Sequence, residues 1–168
     1  AIAYLKKLKP VTTEDHVFRL RGLVSSGAGE GDLRSAKEDL LKRQRPDGGW
    51  AQLDGVKSDA VRDSSTLGDF FTTRTARAKH SDAYATATSL VALRMGGLPA
   101  NDPSYQKGVH FLLNTQDSSG GWIVTSRSNP IQLLFDNGDP GGPRSGFIGN
   151  HATGWAVLAL LECVEKPR

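Results

Sequence analysis

The sequence is short of most of the groups on which protein chemistry is usually built. Among 168 residues there is one cysteine, Cys163, which excludes an intrachain disulfide and a cysteine-based metal cluster. It stands in an apolar helical run, where a thiol is most often buried and inert, so it does not report on compartment. Aromatic residues make up 7% of the chain, and the 21 Lys and Arg against 18 Asp and Glu leave a net charge of only +3, dispersed along the sequence. A nucleic-acid partner would ask for a basic stripe interleaved with aromatics, and none is there. No run approaches the ~18 apolar residues needed to cross a bilayer. The opening Ala1-Ile2-Ala3-Tyr4-Leu5-Lys6-Lys7-Leu8 is too short and too basic for the apolar core of a signal peptide. Residues 1–10 read instead as the tail of a preceding helix, and the chain as a piece of a longer precursor. The length fits one domain with a single core over 1–168, and 19 glycines and 8 prolines point to long loops.

What the chain has is repetition. The stretch from Leu40-Leu41 through Gln44 to Gly48-Gly49-Trp50 recurs from Leu112-Leu113 through Gln116 to Gly120-Gly121-Trp122, at a constant spacing of 72 residues. A second repeat alternates with it. Ala85-Thr86-Ala87-Thr88-Ser89-Leu90-Val91-Ala92-Leu93 matches Ala152-Thr153-Gly154-Trp155-Ala156-Val157-Leu158-Ala159-Leu160 at a spacing of 67. Two different helices repeated in alternation define a two-helix unit.

The two kinds of helix differ in what surrounds them. Over 32–45 the apolar positions are Leu33, Ala36, Leu40 and Leu41, with charges on the remaining faces; 103–116 repeats the pattern with Tyr105, Val109, Leu112 and Leu113. Each is a surface helix with one buried stripe. From Ala83 to Leu93, and again from Ala152 to Leu161, there is no charged residue. A helix apolar all round is covered on most sides, so charged outer helices alternate with apolar inner ones. Asp102-Pro103 predicts an N-cap with proline at the first helical position. Ser81 leads into a helix from Asp82 that Gly96-Gly97 ends. Thr12 or Thr13 caps a further inner helix ending near Gly27, although Arg19 and Arg21 fit that assignment less well.

Residues 107–122, with Lys107, Gly108, Phe111, Leu112, Gln116, Gly120 and Trp122, resemble the QW motif of the squalene/hopene and oxidosqualene cyclases, relatives of the prenyltransferase repeat proteins. The earlier copy keeps Ala36, Leu40, Gln44, Gly48 and Trp50 but has Ser35 and Asp39 at the basic and aromatic positions. The resemblance covers about residues 12–165, the C-terminal segment of such a protein. It implies an all-α fold and a partial α/α toroid of about two and a half inner/outer pairs; localisation stays unknown, a soluble bacterial protein of either cytoplasm or periplasm being the expectation. In that family the motifs tie outer helices together, which makes Gln44, Gly48, Gly49, Trp50, Gln116, Gly120, Gly121 and Trp122 structural residues.

The chemistry of the family is absent from these residues. Alkene protonation in the cyclases uses an Asp-x-Asp-Asp string with an unusually strong acid. Neither that string nor an Asp-Asp-x-x-Asp magnesium site occurs, and Cys163 has no context for a prenyltransferase zinc site. No catalytic residue, no metal and no cofactor is therefore assigned. Polar residues near the starts of the inner helices, Asp15 and His16, Asp82 and Tyr84, His151, Thr153 and Trp155, are the candidates for the mouth of a central cavity. Residues 51–80 form an insertion whose Phe70 and Phe71 are candidates for docking on a partner. A second long loop spans 123–149, where Asp136 and Asp139 lack the spacing of an EF-hand.

A partial ring leaves apolar edges that must be covered by missing chain of the same precursor, by a second copy or by another protein subunit. The sequence thus points to a non-catalytic helical repeat module for assembly or binding. The alternative is a fragment of an isoprenoid cyclase whose acid lies outside this chain.

Overall fold

The structure, a computed structural model, describes residues 1–54, 80–125 and 146–164. These residues form α1 (Ile2–Lys7), α2 (Thr13–Ser25), α3 (Glu30–Leu41), α4 (Ala83–Met95), α5 (Pro103–Thr115) and α6 (Gly146–Leu161). No strand occurs among them beyond an isolated bridge between Trp50 and Asp82, so the chain is all-α, as its periodicities predict.

The caps written in the sequence form. Thr12 accepts from the Asp15 amide at 3.1 Å while Asp15 Oδ2 accepts from the Thr12 amide at 2.8 Å, a reciprocal capping box on α2. Asp82 accepts from the Ala85 amide at 2.9 Å, and Asp102 from the Ser104 amide at 2.8 Å, ahead of Pro103. Gly27 and Gly97 take the left-handed backbone conformation that closes α2 and α4. The following amides, Ala28 and Leu98, return to the carbonyls of Leu23 and Leu93.

The last helix departs from expectation. It begins at Gly146, several residues before Ala152, so the end of the segment read as a loop over 123–149 is helical. Gly146, Gly149 and Gly154 lower the helical signal locally, while packing of the rest of the helix against α4 outweighs propensity. Most of the 51–80 insertion, with Phe70 and Phe71, and the loop segment carrying Asp136 and Asp139 lie outside the described residues.

Neighbour relations follow the predicted alternation. α2 packs on α4 and α4 on α6, while α3 lies mainly against α2 and α5 mainly against α4. In the middle helix, α4, nine of thirteen residues are buried; α3 buries only Ala36 and Leu40. That contrast is the uncharged-versus-charged difference read from sequence. α5 comes so close to α4 that a Cβ on Gly108 would lie 2.8 Å from Leu90 Cδ2, so any side chain there would displace Leu90. Arg19, which fitted an inner helix poorly, turns outward: its Nε donates to the Leu5 carbonyl at 3.0 Å and its guanidinium meets Asp39 at 3.4 Å. The charge thus binds α1 and α3 to α2.

Candidate functional site

The two Gln-to-Gly-Gly-Trp segments fold into the same clamp. In the first, the Arg45 amide donates to the Gly49 carbonyl at 3.0 Å and the Gly48 amide to the Arg45 carbonyl at 2.9 Å. In the second, Asp117 to Gly121 and Gly120 to Asp117 repeat these bonds at 2.9 and 2.8 Å. Gly48 and Gly120 sit at φ +87° and +86°, a conformation that side-chain-bearing residues resist. The turn sends each Trp back under its own outer helix. Trp50 Nε1 donates to the Leu40 carbonyl at 2.9 Å, and Trp122 Nε1 to the Leu112 carbonyl at 2.8 Å. These carbonyls belong to the last turns of α3 and α5, where Leu40 and Leu112 lie near the unpaired helix end.

The indole N–H thus serves the end of the outer helix, while each Gln Nε2 bonds the loop: Gln44 to the Gly48 carbonyl at 2.9 Å, Gln116 to the Gly120 carbonyl at 2.8 Å. The clamp has a third part that sequence reading missed. The Trp50 amide donates to Thr86 Oγ1 at 3.0 Å, and the Trp122 amide to Thr153 Oγ1 at 3.1 Å. Thr86 and Thr153 occupy the same place in the inner-helix repeat. A hydroxyl retained inside an otherwise apolar match was the available signal. Thr153, expected at a cavity mouth, therefore gives its hydroxyl oxygen to the clamp.

The clamps differ in what they hold. Gln44 Nε2 also reaches across to the Ser104 carbonyl in the first turn of α5, at 2.7 Å. A Cβ on Gly48 would lie 2.5 Å from the Lys107 carbonyl oxygen, so α5 is seated directly on this turn. At Gly120 the same construction meets nothing within 4 Å among the described residues, and Gln116 is exposed. The inner helices tell the same story. Leu90 in α4 is fully buried beneath α5, whereas Val157, its repeat-equivalent in α6, is 46% exposed and is joined on that helix by exposed Leu158 and Leu161. The first clamp is closed by the next outer helix, and the second stands open beside an apolar face.

The remaining cavity-mouth candidates do not converge. Tyr84 donates its hydroxyl to Glu14 at 3.1 Å, joining α4 to α2. His151 and Trp155 share an open depression of about 400 Å³ with Gly154 and Leu158. Beside it the Arg21 guanidinium lies 4.9 Å from the Trp155 ring centroid and 5.7 Å from that of Phe18. The aromatic faces available to a ligand cation here already hold a guanidinium. His16 is buried with neither ring nitrogen hydrogen-bonded, and burial, then the nearby Arg43 charge, pushes its pKa down to about 4. Asp15 is used by the α2 cap, where bonds from the Thr12 and Val11 amides outweigh burial and hold its carboxyl below the usual range.

Asp82 faces a separate, partly enclosed cavity of about 200 Å³, lined also by Gln52, Ser81, Phe111, Thr115 and Trp122. Its Oδ1 caps α4, but Oδ2 is shut off from solvent without a hydrogen bond, as is Gln52 Oε1. Burial pushes the Asp82 pKa up to about 6, against the amides and the Gln52 side chain that favour its charge. Among the described residues no group of three or more His, Cys, Asp or Glu is placed to hold a metal ion, and no helix is long and apolar enough to cross a membrane.

No protein-family model matches the chain, and no solved structure matches it significantly.

Proposed function

We propose that this chain is a non-catalytic helical repeat module of the squalene-cyclase-like toroid type, whose work is protein assembly through the open clamp of its second repeat. The observation that carries the reading is the contrast between the two clamps. Gln44 and Gly48 are covered by an outer helix, while Gln116, Gly120 and the Val157 face present the same fittings uncovered. The complementary partner is an amphipathic helix that offers a first-turn carbonyl to Gln116 and a narrow, small-residue face to Val157. A second copy, another subunit or further chain of the same polypeptide can each bring such a helix. Large exposed apolar side chains gathered on one helix face are a mark of interaction surfaces.

Terpene cyclisation is the weaker reading. It needs a strong acid and an aromatic cavity free to hold a carbocation. Asp82, as a buried carboxyl of raised pKa, is a weaker proton donor than an ordinary aspartic acid, and Arg21 occupies the space between Phe18 and Trp155. The test is the native mass of the protein isolated without dissociating its partners, alongside a Val157→Asp variant. The wild type is expected in an assembly larger than one chain, and the variant, with an unchanged helical spectrum, as the free chain. A wild type that is monomeric and converts squalene to a cyclised product would overturn the assignment.

A further inference from the structure

Two arginines break the apolar pattern of α2, and only one of them has a partner of opposite charge. Arg19 is accounted for by its bonds to Leu5 and Asp39. Arg21 is not, and the repeat shows how unusual its place is. The N-cap and the left-handed glycine, Thr12 and Gly27 in α2 and Asp82 and Gly97 in α4, stand the same distance apart, so the two helices align without a gap. Together with the match between α4 and α6, this puts Phe18, Thr88 and Trp155 at one level of the inner helices and Arg21, Val91 and Leu158 at the next. Where the other two carry an aliphatic side chain, α2 carries a cation.

α4 lies between α2 and α6, and Arg21 spans it. Its guanidinium carbon is 5.7 Å from the ring centroid of Phe18 on α2 and 4.9 Å from that of Trp155 on α6. Rings on two helices thus hold the guanidinium in position. No described residue accepts a hydrogen bond from it, yet none of its nitrogens is shut off from solvent. The planar fork of five N–H donors is positioned and unused. Apolar surface surrounds it: Phe18 is 54% and Leu158 49% exposed, and the open depression beside Trp155 is bounded by Gly154 and Leu158, with Asn150 and His151 at the polar end. Glu14, one helical turn before Phe18, accepts from the Tyr84 hydroxyl at 3.1 Å and is the acid on this part of α2.

We infer that Arg21, held by Phe18 and Trp155, is the head-group site for a small amphiphilic carboxylate, whose alkyl chain lies in the depression along Trp155 and Leu158. The two carboxylate oxygens match the guanidinium fork with parallel N–H···O bonds. One cation, with the Glu14 carboxylate close by, suits a monoanion better than a doubly charged phosphate. A guanidinium is more weakly hydrated than an ammonium, so an alkyl chain can lie against it at a smaller desolvation cost. The anchor is on α2, and the site goes beyond the assembly reading, which concerns the second clamp and the Val157 face.

The test is calorimetric titration of the intact protein with sodium octanoate below its micelle-forming concentration, with octylammonium chloride, octanol and sodium acetate as comparison ligands. Saturable binding of octanoate is expected, with each of the others weaker by about tenfold or more, the loss typical of a missing charge-assisted bond or a missing apolar chain. Arg21→Val gives α2 the residue that Val91 supplies in α4, so it is expected to keep the helical spectrum and to weaken octanoate by about tenfold or more. Arg21→Gln, which keeps a polar stem, is expected to weaken it likewise, so the result does not hang on the folding of one variant. Octylammonium or octanol bound as tightly as octanoate would reduce the site to an apolar hollow and overturn the proposal. Acetate bound as tightly, octanoate binding undiminished in either folded variant, or no saturable binding of octanoate would each overturn it as well.

Discussion

Trp50→Ala is expected to destabilise the folded chain by about 3–5 kcal/mol, the range found for deleting a large aromatic from a packed interior. Trp50 is fully buried, and its indole N–H is bonded to the Leu40 carbonyl. The substitution therefore empties a core position and leaves the Leu40 carbonyl without its indole donor. In a domain of ordinary stability, about 5–15 kcal/mol, this is a large fraction of the total. Chemical denaturation followed by far-ultraviolet circular dichroism measures it. Trp50→Phe separates the two contributions. It keeps much of the apolar volume and removes the N–H, at an expected cost of about 1 kcal/mol, the net worth of one hydrogen bond, because the Leu40 carbonyl still accepts from the Arg43 amide at 3.2 Å. A Trp50→Ala variant as stable as the wild type would mean that the clamp does not hold α3 in place.

The second large effect is a difference between two chemically identical substitutions. Gly48→Ala and Gly120→Ala both force a side chain into a left-handed backbone, which costs about 1–2 kcal/mol. At Gly120 the new methyl group meets no neighbour among the described residues, so that conformational cost is the whole expectation. At Gly48 it would meet the Lys107 carbonyl oxygen at 2.5 Å and the carbonyl carbon at 2.8 Å, both backbone atoms of α5. Relief requires α5 to move off the turn, away from Gln44, whose Nε2 bonds Ser104 in that helix. Gly48→Ala is therefore expected to cost about 2 kcal/mol more than Gly120→Ala, in line with the usual cost of overpacking. Thermal denaturation of the pair under dissociating conditions reads the difference. Equal losses would show that the two clamps have the same surroundings, contrary to the open second clamp.

Much of this architecture is legible in the sequence because repetition supplies its own alignment. The pairing of Gln44 with Gln116 and Trp50 with Trp122 marks the clamps, and the uncharged runs from Ala83 and Ala152 mark the helices that the others cover. The caps at Thr12, Asp82 and Asp102 are local chemistry and are read locally. The start of α6 is not, because Gly146 and Gly149 read as loop residues and are helical only in context. Individual bonds are also hidden. Nothing in the spacing says that the indole rather than the glutamine serves the helix end. Nor does spacing say that Gln44 reaches Ser104, which depends on how closely α5 approaches. The grouping of Asp82, Tyr84, His151 and Thr153 at one cavity mouth came from their shared position at helix starts. Neighbouring helices and loops divide them, because each side chain is claimed by its nearest partner: Thr153 by Trp122, Tyr84 by Glu14, and Asp82 Oδ1 by the Ala85 amide.

The asymmetry of the clamps also explains why an all-helical chain with a continuous core keeps a large apolar face exposed. Outer helices cover the inner helix that precedes them, α3 over α2 and α5 over α4. α6 itself packs on α4, and near its C-terminal end the Ala159 carbonyl accepts from the Tyr105 hydroxyl of α5 at 2.8 Å. The opposite side has the fittings for one more outer helix, and that position is where the proposed assembly forms.

The most direct measurement is hydrogen exchange at the side-chain amides of Gln44 and Gln116, followed by NMR in the native assembly and in the Val157→Asp variant. Gln44 donates to two carbonyls within the chain and is expected to be protected in both samples. Gln116 is expected to exchange fast in the variant and to approach the protection of Gln44 in the assembly, where a partner helix supplies its second carbonyl. Fast exchange at Gln116 in both samples, with Gln44 protected, would contradict docking at the open clamp.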